Sequence, residues 1–119
     1  FKNSLQENAK IHVVTEDIIE ACHNGIVGWE KKSSAQPILI QGIDDNIQTK
    51  ARWMILKEFF NNNNIDFYEI SSISSNILSK LIHLSYMFDF TTIYLALNNK
   101  IDPTPVKSID YIKSKLLDY

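Results

Sequence analysis

With 119 residues, 45% of them hydrophobic and 22% charged, the chain is long enough to bury an apolar core and too apolar to be disordered, so one globular domain spanning residues 1–119 is expected. A formal net charge of -2 provides no basic field, which argues against nucleic acid or an anionic membrane as a partner. The single Cys22 cannot close an internal disulfide and no apolar run approaches the roughly 18 residues of a membrane span, so a cytoplasmic setting is expected.

The chain opens at Phe1 with no initiator Met, which reads as a piece of a longer protein. Lys2 to Lys10 (KNSLQENAK) is helix-tolerant, with Leu5 and Ala9 at i, i+4 spacing. Thr15 is the expected N-cap of a helix from about Glu16 to Asn24, with Glu16 and Asp17 in its first turn. Gly25 and Gly28 then loosen the backbone, and KKSSA over Lys31 to Ala35 is a polar connector.

PILIQG, Pro37 to Gly42, has the length and boundaries of a buried strand. Asp44 and Asp45 suit the start of an amphipathic helix whose stripe is Ile47, Ala51, Met54, Ile55 and Phe59. The Asn61 to Asn64 run ends it, because Asn tolerates the left-handed conformation that terminates helices. IDFYEI, Ile65 to Ile70, alternates as a strand does, and the three segments predict a parallel strand, helix, strand unit.

After the SSISS loop a helix from about Asn76 continues to Leu97 and is apolar on nearly every side, as for a helix packed deeply or at a partner surface. Pro103 and Pro105 are expected in the first turn of a last helix with a stripe of Ile109, Ile112, Leu116 and Leu117. Only two strands are convincing. The expected fold is therefore α/β, a small parallel sheet flanked by helices, with room to accept strands from elsewhere.

Taken singly, the chemistry-bearing residues are weak signals. A lone helical carboxylate such as Glu7 is ordinarily a solvated surface group, and His12 and His83, set among apolar residues, read as core or half-buried structural histidines. No H-x-x-x-H, C-x-x-C or carboxylate cluster is present, so no metal is expected; no dinucleotide fingerprint or P-loop is present either, and no cofactor is expected. Cys22 and His23 are sequence neighbours whose side chains diverge by about 100° on a helix, so Cys22 reads as a small buried thiol.

The ordered set ENAK, HN-x-IVGWE, YLAL and IDPTPVKSIDYIKSKL resembles the C-terminal half of the bifunctional phosphoglucose/phosphomannose isomerases, over nearly the whole chain. That resemblance implies the second of two sugar isomerase (SIS) domains, a three-layer α/β fold, and a missing N-terminal SIS domain that carries the Ser/Thr-rich phosphate loop. It implies a sugar-phosphate substrate, a homodimer, and an isolated domain without activity of its own. It also assigns roles. Glu7 would be the base that moves a proton between C1 and C2 through a cis-enediolate. His23 would assist ring opening and reach the active site from the neighbouring subunit. Thr92, with Thr91 as the alternative, would be linked to room for both C2 epimers. A carboxylate base and an imidazole titrating near neutrality suit that division of labour.

The chain departs from the family pattern at Gln6, Cys22, Gly25 and Asn99. Those at Cys22 and Gly25 are what a second reading cites, a non-catalytic SIS module that binds a sugar phosphate or only dimerises.

Overall fold

The computed structural model describes Phe1 to Leu117. It divides into two compact units, one of Thr15–His83 and one built from Phe1–Val14 and the chain from Leu84 onward.

The unit of Thr15–His83 is a β-α-β crossover. Strand β1 (Ile38–Gln41) and strand β2 (Tyr68–Ser71) form a two-stranded parallel sheet in which Ile38 faces Tyr68 and Gln41 faces Ser71. Between them in the chain runs α3 (Ile47–Asn62), capped by Asn46, whose side-chain oxygen accepts from Thr49 N–H at 2.9 Å. The expected α/β class and the parallel pairing are both present. The acids behave differently from expectation. The Asp45 carboxylate accepts from Gly42 N–H at 3.0 Å and from the Trp53 indole at 3.2 Å, so it ties the end of β1 to α3 rather than starting the helix. Asp44 pairs with Lys80 instead, and that ammonium holds its carboxyl below the usual carboxylate range.

The core of this unit is Leu39, Leu56 and Phe60, packed about by Ile18, Trp29, Trp53, Phe59 and Phe67. The inner face of α3 is thus Trp53, Leu56 and Phe60. Of the expected stripe, Ile47 is 83% exposed and Met54 62%. The reason is aromatic bulk: Phe60 sits edge-on to Trp29 at 5.5 Å and also meets Phe67, and those rings set which side of α3 turns inward.

Three further expectations are corrected. Asp17, not Thr15, caps the second helix, accepting from Ile19 and Glu20 N–H, and the helix α2 is only Ile18–Ala21. Gly25–Glu30 forms a 3-10 turn rather than a loosened loop. His12 and His83 are exposed, not core.

The other unit contains α1 (Lys2–Asn8), most of α4 (Ile77–Asn98) and α5 (Lys107–Leu116). Its buried residues are Leu5, Ala9, Phe88, Thr92 and Ala96. Helix α5 begins after both prolines: Pro103 and Pro105 belong to the turn ahead of it, and Ile112 and Leu116 lie exposed.

Helices α1, α3 and α4 share one termination. Lys10, Asn64 and Lys100 adopt the left-handed conformation with φ of 56°, 53° and 56°. In each case the N–H of the next residue, always Ile, reaches back to a carbonyl in the last turn: Ile11 to Leu5, Ile65 to Phe60, Ile101 to Ala96. Only the Asn run carries a sequence signal for this ending.

Candidate functional site

A helix of seven residues does not stand alone in water. α1 is held by its contacts with α4. The Phe1 ring stacks on Phe88 with centroids 4.2 Å apart, the Ser4 hydroxyl donates to Asp89 at 2.7 Å, and the Asn8 amide donates to the Thr92 hydroxyl at 2.9 Å. Leu5 and Ala9 are buried between these anchors.

That leaves the opposite face. Asn3, Gln6, Glu7 and Lys10, at i, i+3, i+4, i+7, line a hollow of about 560 Å³ whose far side is Pro105 to Ile109. Glu7 is exposed on this face. Lys10 and Lys107 bring positive charge to the same hollow, and Ser108 adds a hydroxyl. The arrangement offers a solvent-reachable carboxylate, a potential base, within a concavity that two ammonium groups and a hydroxyl also line.

The hollow's two walls are fastened by Lys10. Its ammonium donates to the carbonyls of Glu7 at 2.6 Å, Pro105 at 2.7 Å and Pro103 at 3.5 Å. Asp102 shapes the prolyl turn by accepting from Thr104 N–H at 2.9 Å. That backbone bond above all, with Lys10 adding a smaller attraction, lowers the Asp102 carboxyl below its ordinary range.

His23 lies in the other unit, at the turn between α2 and the 3-10 segment, and is exposed. Its neighbours fix the turn. Cys22 on one side and Ile26 and Trp29 on the other pack against the core, the latter two being aligned by the three-residue period of a 3-10 helix. The His23 N–H donates to Glu20 O at 3.0 Å, and the Asn24 amide donates to the Glu20 carboxylate at 2.6 Å. Burial pushes the Cys22 thiol up, with Arg52 partly opposing, so the thiolate needed of a nucleophile is disfavoured. At Gly25 the carboxylate of Glu16 occupies the place a Cβ would take.

Thr92 is fully buried and does not line the hollow. Its hydroxyl donates to Asp89 O at 2.8 Å while accepting from Asn8. Thr91 is exposed, and its hydroxyl donates to Met87 O at 2.7 Å. The structure therefore brings Glu7 and Thr92 together only through Asn8, and it places His23 in the other unit.

Sequence reasoning did not single out Lys10, Asn8, Lys107 or Ser108. The usable signal was there: Asn3, Gln6, Glu7 and Lys10 form one polar helical face opposite Leu5 and Ala9. Among the described residues no group of three or more His, Cys, Asp or Glu is placed to hold a metal ion, and no helix is long and apolar enough to cross a membrane.

This division of labour, ENAK and the DPTP turn on one hollow and HNGIVGWE on a separate anchored turn, accompanies a match over residues 1–116 to the bacterial phospho-glucose isomerase C-terminal SIS domain. The chain belongs to that family. It is 30% identical to a bifunctional phosphoglucose/phosphomannose isomerase of Caldicellulosiruptor bescii, over 99% of this chain and 36% of the relative. It is 25% identical to the protein of the same description from Aquifex aeolicus, over 98% of this chain and 37% of the relative. The chain thus spans little more than a third of the length of these curated relatives. No solved structure matches it.

Proposed function

We propose that the chain is the base-carrying C-terminal SIS domain of an aldose-ketose isomerase that interconverts glucose 6-phosphate or mannose 6-phosphate with fructose 6-phosphate. The observation that carries this reading is the position of Glu7: within a chain that matches the isomerase family over residues 1–116, it lies on the outer face of α1, on the wall of a hollow of about 560 Å³.

In the proposed reaction the Glu7 carboxylate removes the C2 proton of the open-chain aldose. The C–H electron pair forms the C1=C2 bond of a cis-enediolate, and the C1 carbonyl pair moves to oxygen. Return of the proton to C1, with the O2 proton passing to O1 and the carbonyl re-forming at C2, gives the ketose. Neither direction changes the oxidation level of the whole molecule, so no oxidant or reductant is called for. His23 of a neighbouring copy would handle the ring-oxygen and O1 protons when the pyranose opens. Lys107 and Ser108, facing Glu7 across the hollow, would hold the sugar oxygens on which charge develops. Self-association through α4, and a sugar-phosphate site completed by an N-terminal SIS domain, belong to the same reading.

The departures at Cys22 and Gly25 do not favour the non-catalytic alternative. Cys22 packs against the core as a small apolar residue would, and the space beside Gly25 is taken by a carboxylate from Glu16. Neither departure replaces Glu7 or His23.

The test is turnover. The full-length protein is expected to convert both aldose phosphates, whereas the chain of residues 1–119 alone shows negligible conversion, because remote phosphate binding positions C1 and C2 for reaction. Full turnover by the isolated chain would contradict the domain assignment.

A further inference from the structure

The face of α1 that bears Glu7 is fixed by its opposite face. Side chains on a helix are set 100° apart per residue, so Asn8 and Glu7 cannot point the same way; while Asn8 is bound to α4, Glu7 is turned to the hollow. A rotation of α1 by about 10° would move a carboxylate at the end of a Glu side chain by roughly 1 Å. Displacements of that size are enough to cost up to about 100-fold in rate.

Two features make the Asn8–Thr92 bond the element that sets this rotation. Thr92 is 0% exposed, so no water competes with the Asn8 amide for its hydroxyl oxygen. The hydroxyl proton is also committed to Asp89 O at 2.8 Å, which leaves an oxygen lone pair directed to Asn8. The other polar tie to α4, Ser4 to Asp89, is exposed and therefore weaker in water, and Lys10 fastens the end of α1 to the prolyl turn rather than to α4.

We propose that Thr92 is a positioning residue for the isomerisation, acting through Asn8 on the orientation of Glu7 rather than by touching the sugar. This rests on Glu7 being the base. A residue that sets the base should affect both C2 epimers alike and act on the chemical step. A residue that lines the sugar site should change the ratio between epimers or the substrate KM.

The experiment uses the full-length protein with Asn8→Ala, Thr92→Val, the double variant and Thr92→Ser. Steady-state kinetics are measured with glucose 6-phosphate and mannose 6-phosphate. Each of the first two variants is expected to lower kcat roughly tenfold for both substrates, with KM within about twofold. The double variant should be no slower than either single one, and Thr92→Ser should rescue kcat by restoring the acceptor. Losses that multiply in the double variant would overturn the proposal. So would a change of epimer ratio in Thr92→Val that Asn8→Ala lacks. Should Thr92→Val fail to fold, Asn8→Ala decides: wild-type kcat there overturns the proposal, and a kcat loss shared by both epimers supports it. Turnover surviving in Glu7→Gln would be a different failure, of the base assignment itself, and is read on a separate variant.

Discussion

The ammonium of Lys10 donates to the carbonyl of Pro105 at 2.7 Å, and through that bond the helix bearing Glu7 is fastened to the turn that leads into α5. The same nitrogen holds the carbonyl of Glu7 at 2.6 Å. Two segments nearly a hundred residues apart in the chain, ENAK and DPTP, are thus closed on one hollow by a single side chain.

Lys10→Met keeps the bulk of the stem and removes the charged donor. It is expected to cost up to about 1 kcal/mol in urea denaturation, since the charge-assisted bonds are exposed and water takes over part of their role at the carbonyls. In the full-length protein kcat/KM should fall roughly tenfold as the walls of the hollow separate. A variant with unchanged denaturation midpoint and unchanged kinetics would show that the clasp does nothing.

Asp102 gives a pH dependence with a definite sign. Its folded-state pKa lies below the ordinary carboxylate value because Thr104 N–H donates to the ionised form. The stability it contributes is therefore fully present above the unfolded value, about pH 4, and is lost as pH falls through the lower folded value. Asp102→Asn should flatten the acid limb of a melting-temperature profile taken below about pH 4 and change it little near neutrality. An acid limb equally steep in the variant would remove Asp102 as a contributor.

Within the unit that holds α1, α4 presents Tyr86, Phe90, Tyr94 and Leu97, each at least 50% exposed. An exposed apolar row of this kind is what the proposed self-association would cover. Sedimentation of the chain is expected to show dimers at micromolar concentration, and Tyr86→Glu should shift it to monomer. A strict monomer at high concentration for the unaltered chain would contradict the proposed self-association.

What the sequence made legible was set by locally determined features. The two strands, their parallel pairing, α3 and the Asn64 helix ending follow from short runs whose boundaries are their own Pro, Gly or Asn residues. The misplaced features depended on tertiary partners. Nothing near Asp45 announces that Trp53 will claim it, and so the helix starts at Ile47, later than the acids suggest. Likewise hydrophobicity alone points to Ile47 and Met54 for the α3 stripe, whereas the packing of Phe60 against Trp29 and Phe67 chooses the face. In the candidate site Glu7 and His23 came from family resemblance, since a single carboxylate and a single imidazole carry no spacing signal. That Thr92 faces Asn8 and not the hollow depends on how α1 rests on α4, which no pattern within either segment encodes.

The most direct test of the account is exchange of the C2 proton with solvent in the full-length protein carrying Glu7→Gln. Incubated with glucose 6-phosphate in deuterated water and followed by NMR, the unaltered protein should exchange the C2 proton during turnover. The Gln variant should show no exchange while still binding substrate, because an amide cannot accept the proton. Exchange at the unaltered rate in the Gln variant would place the base elsewhere and contradict the account.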